Sequence, residues 1–315
     1  MITIQPLSPQ DAPAVAAMRQ ATAAHKGDKL GPEARPMFDG MFAATPAAAD
    51  VRVEAATVGG ISGFWVRPAG ARPGVRVLYI HGGGYVLGSA QSFTSFVGQI
   101  AMRAGADAFI PDYRLAPEHP YPAAIDDAVA SYHGLVAEGA ERIVVVGDSA
   151  GGGLTLALLS ILAADKRSGV VQPAGAAVMS PLTDLALAGE SFQTRAEADP
   201  IFTRDVLKAF SDMYLQGQDA TLPKASPLYA QLNGLPPIRI DVGDNEVLLS
   251  DSVRYAEKAQ AAGVEITLSV WEGMAHVFQS SLGQFVASEQ SVNAIGEFLR
   301  QRLDDAAPAN AIKGA

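Results

Sequence analysis

Cysteine is absent from the sequence, and this absence excludes disulfide bonds, thiolate zinc sites and a cysteine nucleophile. Long apolar runs are also missing. The longest, Leu154–Ala164, is interrupted by Ser160 and is too short to cross a bilayer. The first six residues show no basic region followed by an apolar stretch, so they do not resemble a signal peptide. We therefore expect a soluble protein with a cytoplasmic location.

Clusters of basic residues are missing as well. The chain has 23 Lys and Arg residues against 33 Asp and Glu residues, which gives a formal net charge of −10. Nucleic acids and anionic membranes attract basic surfaces, so we expect neither of them as a partner. What the sequence does contain is 49% hydrophobic and only 18% charged residues, a composition typical of a protein with a large buried core.

Short runs of strand-forming residues recur from Val51 onward, and helix-length segments separate most of those after the second. The eight runs lie near 51–57, 61–67, 75–80, 107–112, 142–147, 175–180, 238–242 and 265–271. Strands that alternate with helices predict an α/β fold, with a mostly parallel eight-stranded sheet flanked by helices. Val58-Gly59-Gly60 joins the first two runs and predicts an antiparallel hairpin at one edge of the sheet.

Two segments fall outside this alternation. Residues 1–45 look helical, and residues 185–222 contain a helix that is predicted to begin near Thr203. We expect the two segments to pack together as a helical cap, with 185–222 as an insertion. The main α/β domain then comprises 46–184 and 223–303. Residues 304–315 are rich in Ala, Pro and Asn and predict a flexible tail.

One serine lies between glycines at a predicted junction of strand and helix. The segment Gly147–Gly151 fits G-x-S-x-G, with Ser149 at its centre. Such a sharp turn presents the serine hydroxyl at the top of the sheet, and bulky residues beside it would collide. The helix N-terminus also favours developing negative charge. The pattern predicts that Ser149 is a nucleophile, and the alternative is a purely structural glycine turn.

A triple glycine follows another predicted strand. His81-Gly82-Gly83-Gly84 comes directly after Val75–Ile80. Successive glycines expose backbone N–H groups that can bind an oxyanion. We expect His81 to order this loop by hydrogen bonding and not to act as a catalytic base.

A histidine late in the chain completes the pattern. His276 lies in a loop after the last predicted strand and follows Ser149 in the order Ser…Asp/Glu…His. The acid that orients the imidazole has two candidates, Asp244 and Glu246, in the loop after the run at 238–242. Asp251 is expected to cap the N-terminus of the next helix.

These stretches resemble the hormone-sensitive-lipase-like (family IV) bacterial carboxylesterases, in the fold-3 group of α/β hydrolases. The resemblance spans about residues 45–302 and rests on His81–Gly84, Tyr113–Pro120, Gly147–Gly152 and the loop around His276. It implies an α/β-hydrolase fold, a cap built from the N-terminus plus an insertion, and oxyanion donors at Gly83, Gly84 and Ala150.

The resemblance also bears on the acid and the reaction. The usual acid motif of the family is Asp-x-Leu-x-Asp, and the nearest match is Glu246–Asp251, with Glu first and one extra residue. This alignment favours Glu246 over Asp244. The resemblance implies hydrolysis of short- to medium-chain carboxylic esters through an acyl-enzyme on Ser149, with no metal or organic cofactor. The alternatives are a lactonase or amidase with the same triad, and a non-catalytic small-ligand receptor, against which His276 argues.

Apolar residues of the predicted cap indicate an apolar, partly enclosed pocket for a small-molecule ester. Met37, Phe38, Met41 and Phe42 recur at helical spacing, and this face either packs into the core or forms a lid. The residues expected to contact substrate are Tyr85, Met37, Met41, Phe210 and Tyr214. Because members of the family often pair through an edge strand, a homodimer is a further expectation. The run at 265–271 alternates apolar and polar residues, but this alternation does not by itself identify an exposed edge.

Overall fold

The computed structural model describes residues 2–165 and 171–304. In this part of the chain nine strands form one sheet in the order β1-β9-β8-β7-β6-β4-β5-β3-β2. The strands are β1 (Ile2–Gln5), β2 (Val51–Val58), β3 (Ile61–Pro68), β4 (Val75–Ile80), β5 (Asp107–Pro111), β6 (Arg142–Asp148), β7 (Gly175–Met179), β8 (Ile238–Gly243) and β9 (Ile266–Trp271). Neighbouring strands are parallel except for the pairs β2–β3 and β3–β5. The predicted fold class and edge hairpin are confirmed, but the sheet has nine strands instead of eight.

The additional strand is β1, in a segment that the sequence predicted to be helical. Its four residues pair in parallel with β9, from Ile2 opposite Leu268 to Gln5 opposite Trp271. A strand this short is stabilised by its backbone hydrogen bonds with the neighbouring strand. Four residues are also too few to show a recognisable alternation of apolar and polar side chains. Consequently β9 (265–271 in the sequence pattern) lies inside the sheet and is not an edge strand.

Helices cover both faces of the sheet. They are α1 (Ala12–Thr22), α2 (Arg35–Ala43), α3 (Thr94–Ala104), α4 (Ala123–Ala137), α5 (Ser149–Ala164), α6 (Ser191–Thr194), α7 (Arg204–Leu215), α8 (Leu249–Ala261) and α9 (Val286–Asp304). Alternate side chains of β4 enter opposite cores. Val77 packs in the cluster that contains Ile100 and Leu299, from α3 and α9, and Leu78 packs in the cluster that contains Leu158 of α5.

None of the helices in the described ranges is long and apolar enough to cross a membrane. Apart from Asp304, the predicted tail at 304–315 lies outside the described residues.

The two segments that were predicted to form a cap contact each other. The side chains of Arg19 and Lys26, near the end of α1, donate to the backbone carbonyls of Glu197 (3.2 Å) and Ala196 (2.6 Å). The predicted helix in 185–222 is present as α7, and the hydroxyl of Thr203 accepts the Val206 N–H at its N-terminus. Side chains of the N-terminal segment therefore bind the backbone of the segment 185–222.

Candidate active site

Ser149 lies at the sharp turn where β6 meets α5. Its φ is +51°, a strained conformation for a residue other than glycine, and its side chain is nearly buried. The flanking glycines leave no room for side chains. A Cβ on Gly147 would lie 2.4 Å from the Gly151 carbonyl oxygen, and a Cβ on Gly151 would lie 2.0 Å from that of Ile80. Close backbone packing therefore dictates both glycines and holds Ser149 in its strained position.

The glycine loop after β4 supplies backbone donors beside Ser149. Gly83 and Gly84 have φ values of +107° and +63°, and both line a cavity together with Ser149. Within residues 2–165 and 171–304, no hydrogen bond is donated by the backbone N–H of either glycine. Ala150 lies in the first turn of α5, where N–H groups have no partner within the helix. These three N–H groups have the character that an oxyanion hole requires.

His81 and Asp148 hold this loop against the sheet. The Nδ1 atom of His81 lies 2.8 Å from the Gly82 carbonyl oxygen, and its ring stacks on Tyr113 at 4.3 Å between centroids. The carboxylate of Asp148 accepts the Tyr79 hydroxyl at 2.7 Å and the Gly82 N–H at 3.0 Å. Burial raises the pKa of Asp148 to about 6, although these hydrogen bonds act in the opposite direction. Both side chains are thus engaged in holding the loop.

His276 and Glu246 form a buried pair at the carboxyl ends of β8 and β9. The Nδ1 atom of His276 lies 3.6 Å from the Oε1 atom of Glu246, an ion-pair distance longer than a hydrogen bond. The other carboxylate oxygen accepts the Ser180 hydroxyl at 2.8 Å, and that hydroxyl accepts the Val277 N–H at 3.1 Å. Ser180 therefore connects the acid with the loop that carries His276. His276 and Ser149 line the same cavity.

Opposing effects set the pKa of His276. Burial alone lowers it, but the negative charge of Glu246, aided by Asp199 and Asp148, raises it above its ordinary value of 6.5. Burial raises the pKa of Glu246 in turn, while His276 and Ser180 act to lower it. The imidazole is therefore a stronger base than a free histidine.

The other carboxylates of this region have different partners. Asp244 is half-buried and accepts the Gly273 N–H at 2.7 Å. Asp251 does not cap α8 as expected. It lies inside the first turn of that helix, and its carboxylate accepts the N–H groups of Thr183 (2.8 Å) and Asp184 (3.0 Å). Of the two acid candidates, Glu246 lies beside the imidazole of His276, whereas Asp244 binds Gly273, three residues before His276.

The cavity above Ser149 has a volume of about 260 Å³ and a largely apolar wall. Both predicted cap segments contribute to this wall. Of the five expected contact residues, Met41 and Phe210 line the cavity. Other apolar side chains in the wall include Met18, Phe38, Ile201, Phe202, Leu207 and Phe285.

Tyr85, Tyr214 and Met37 are not in the cavity wall, contrary to expectation. The rings of Tyr85 and Tyr214 stack on each other with centroids 3.9 Å apart, and both are buried in the core. Met37 lies one turn before Met41 on α2 and is exposed to solvent. Sequence patterns cannot distinguish an aromatic pair that is packed in the core from one that lines a pocket.

Two residues beside His276 or its loop have no motif in the sequence. The ring of Phe202 contacts the imidazole in a T-shaped arrangement, with centroids 5.0 Å apart and an interplanar angle of 87°. Ser180, described above, is the second. In the sequence, the adjacent apolar residues Ile201 and Phe202 before α7 are the feature that could have indicated a cavity wall beside His276.

Comparisons with known proteins identify the family and the fold of this chain. A model of the alpha/beta hydrolase fold family matches residues 77–280. An acetyl-hydrolase from Streptomyces hygroscopicus is 39% identical over 246 residues, which are 78% of this chain and 81% of that protein. A solved esterase/lipase from an uncultured bacterium superposes with a TM-score of 0.86 at 41% identity, covering 94% of this chain and 99% of that one. An esterase from the bacterial hormone-sensitive lipase family has a TM-score of 0.86 at 38% identity, with the same coverage.

Proposed function

The chain belongs to the alpha/beta hydrolase fold family, within its bacterial hormone-sensitive-lipase group of esterases, and from this premise we propose that it hydrolyses carboxylic esters through an acyl-enzyme on Ser149. One observation supports the mechanism most directly. A single cavity is lined by Ser149, His276 and the glycine loop. The Oε1 atom of Glu246 lies 3.6 Å from the Nδ1 atom of His276. The proposed nucleophile, the proposed base and two of the proposed oxyanion donors thus line one space, and the proposed acid lies beside the base.

In the first half-reaction His276 accepts the proton of the Ser149 hydroxyl, whose oxygen attacks the ester carbonyl carbon. The oxyanion that forms accepts hydrogen bonds from the N–H groups of Gly83, Gly84 and Ala150. Collapse of this intermediate breaks the bond to the alcohol oxygen, which takes the proton from His276. An acyl group then remains on Ser149.

In the second half-reaction water takes the place of the serine. His276 accepts a proton from this water, which attacks the acyl carbonyl carbon, and the same N–H groups bind the second oxyanion. Cleavage of the ester bond to Ser149 releases the acid, and His276 returns the proton to the serine. In both halves Glu246 stabilises the imidazolium that forms.

The cavity supports a small, apolar ester with a short to medium acyl chain. Its volume is about 260 Å³, and methionine and phenylalanine side chains form much of the wall. The relative from Streptomyces hygroscopicus is named an acetyl-hydrolase, which agrees with a short acyl group.

Ser149→Ala tests the proposal with p-nitrophenyl acetate and butyrate as substrates. Removal of the nucleophile is expected to lower kcat by on the order of a thousandfold or more, without a loss of thermal stability. Ser281→Ala is the matched control, because Ser281 lines the same cavity but has no part in the mechanism. Turnover by Ser149→Ala close to that of the wild type would disprove the assignment of the nucleophile.

A further inference from the structure

Asp199 is a fully buried carboxylate that the mechanism above does not use. It lies between α6 and α7. Its Oδ1 atom accepts the backbone N–H groups of Ile201 and Phe202, each at 2.8 Å. Its Oδ2 atom accepts the N–H of Val247, also at 2.8 Å. One side chain therefore joins two segments that lie about 50 residues apart along the chain.

Both of these segments contact the imidazole of His276. Val247 directly follows Glu246, whose carboxylate lies 3.6 Å from Nδ1 of His276. Phe202 places its ring against the imidazole, with centroids 5.0 Å apart. Asp199 thus binds the backbone N–H of Phe202, whose ring contacts His276. It also binds the backbone N–H of Val247, the residue after Glu246.

The surroundings of Asp199 strengthen this connection. The Ser191 hydroxyl donates to the carbonyl oxygen of Val247, so the same insertion binds the peptide groups on both sides of that residue. The negative charge of Asp199 also raises the pKa of His276 and that of Glu246. The charged groups that act on His276 are Glu246, Asp199 and Asp148.

We propose that Asp199 is a positioning residue for catalysis, which holds the acid loop (residues 244–248) and Phe202 against the His276 imidazole. This inference rests on the proposed function. A carboxylate suits the position because both of its oxygens accept hydrogen bonds. An asparagine would present an NH₂ group either to Val247 or to the N–H groups of Ile201 and Phe202, and would leave that side without an acceptor.

The pH profile of kcat/KM in Asp199→Asn tests the proposal. Activity requires neutral His276, so kcat/KM rises with pH as the imidazole loses its proton. Removal of the Asp199 charge lowers the pKa of His276, and the rise is therefore expected at lower pH than in the wild type. The plateau kcat is expected to fall on the order of tenfold, because the acid loop and Phe202 are held less firmly.

Two further variants separate positioning from mere stability. Asp11→Asn is the matched control, because Asp11 is also buried and accepts the N–H groups of Val286 (2.7 Å) and Ala287 (3.0 Å). It is expected to lower the unfolding temperature and leave the pH profile in place. Phe202→Leu keeps the charge of Asp199 and removes the ring, so kcat is expected to fall without a shift of the profile.

A titration of His276 by NMR in the Ser149→Ala background makes the readout independent of turnover. If Asp199→Asn shifts neither this titration nor the pH profile, or if it keeps the plateau kcat of the wild type, the inference is overturned and ester hydrolysis still stands. If instead Ser149→Ala retains activity, the proposed function fails and the titration still tests Asp199. Should Asp199→Asn fail to fold, Asp199→Ser is measured in the same way, because it removes the charge and leaves space for water beside the freed N–H groups.

Discussion

The turn at Ser149 and the part of α2 around Met41 line the same cavity but differ in how tightly they are packed. At the turn, backbone atoms approach so closely that a Cβ on Gly151 would overlap the carbonyl oxygens of Ile80 and His81. On α2, Met41 lines the cavity although 64% of its surface is exposed, and a Cβ on Gly40 would meet no atom within 4 Å. The turn is thus a rigid, crowded backbone, whereas Met41 on α2 is a wall residue whose side chain has room to change.

Gly151→Ala is expected to have the largest effect. The added Cβ would lie 2.0 Å from the Ile80 oxygen, so β4 or α5 must move. We expect a loss of several kcal/mol of stability, together with loss of ester hydrolysis, because the oxyanion donors and Ser149 are displaced. Thermal unfolding and turnover of p-nitrophenyl acetate measure the two effects.

Gly40→Ala provides the contrast for that prediction. Gly40 lies exposed in α2 with open space around it, so alanine is expected to stabilise the helix by up to about 1 kcal/mol and to leave turnover unchanged. Equal unfolding temperatures for Gly151→Ala and the wild type would show that backbone crowding does not govern the turn.

Glu246→Gln is expected to have the next largest effect. Without its charge the residue no longer stabilises the imidazolium, and kcat is expected to fall on the order of a hundredfold or more. Asp244→Asn is the matched variant, since Asp244 lies two residues away and binds Gly273. We expect a loss of less than about tenfold from it. A larger loss in Asp244→Asn than in Glu246→Gln would transfer the role of the acid to Asp244.

Met41→Ala is expected to have the smallest effect. The residue lines the cavity but remains largely exposed, so its removal takes away only part of a hydrophobic contact. We expect KM for p-nitrophenyl butyrate and hexanoate to rise about threefold, with little change for the acetate and no change in stability. Met37→Ala is the control, because Met37 is similarly exposed on the same helix but lies outside the cavity. A similar change in KM for both variants would contradict the contribution of α2 to the pocket.

The success of the sequence-based predictions varied with how local the underlying interaction is. The sheet and its hairpin were predictable because alternation, glycine pairs and helix-length spacers all lie within short stretches. The strand β1 was missed because it is stabilised by β9, more than 260 residues away along the chain. Likewise, Tyr85 and Tyr214 were assigned to the pocket, although their rings pair with each other in the core.

The sequence by itself determined the turn at Ser149 and the glycine loop, because steric limits on neighbouring residues require glycine there. It also contains the chain order of the proposed triad. Only the tertiary structure decided which carboxylate after β8 lies beside His276, and which side chains of α2 and of the segment 185–222 reach the cavity. It also brought Asp199 to Val247 and Phe202 to His276. These relations depend on where distant segments meet in space, and no spacing along the chain encodes that.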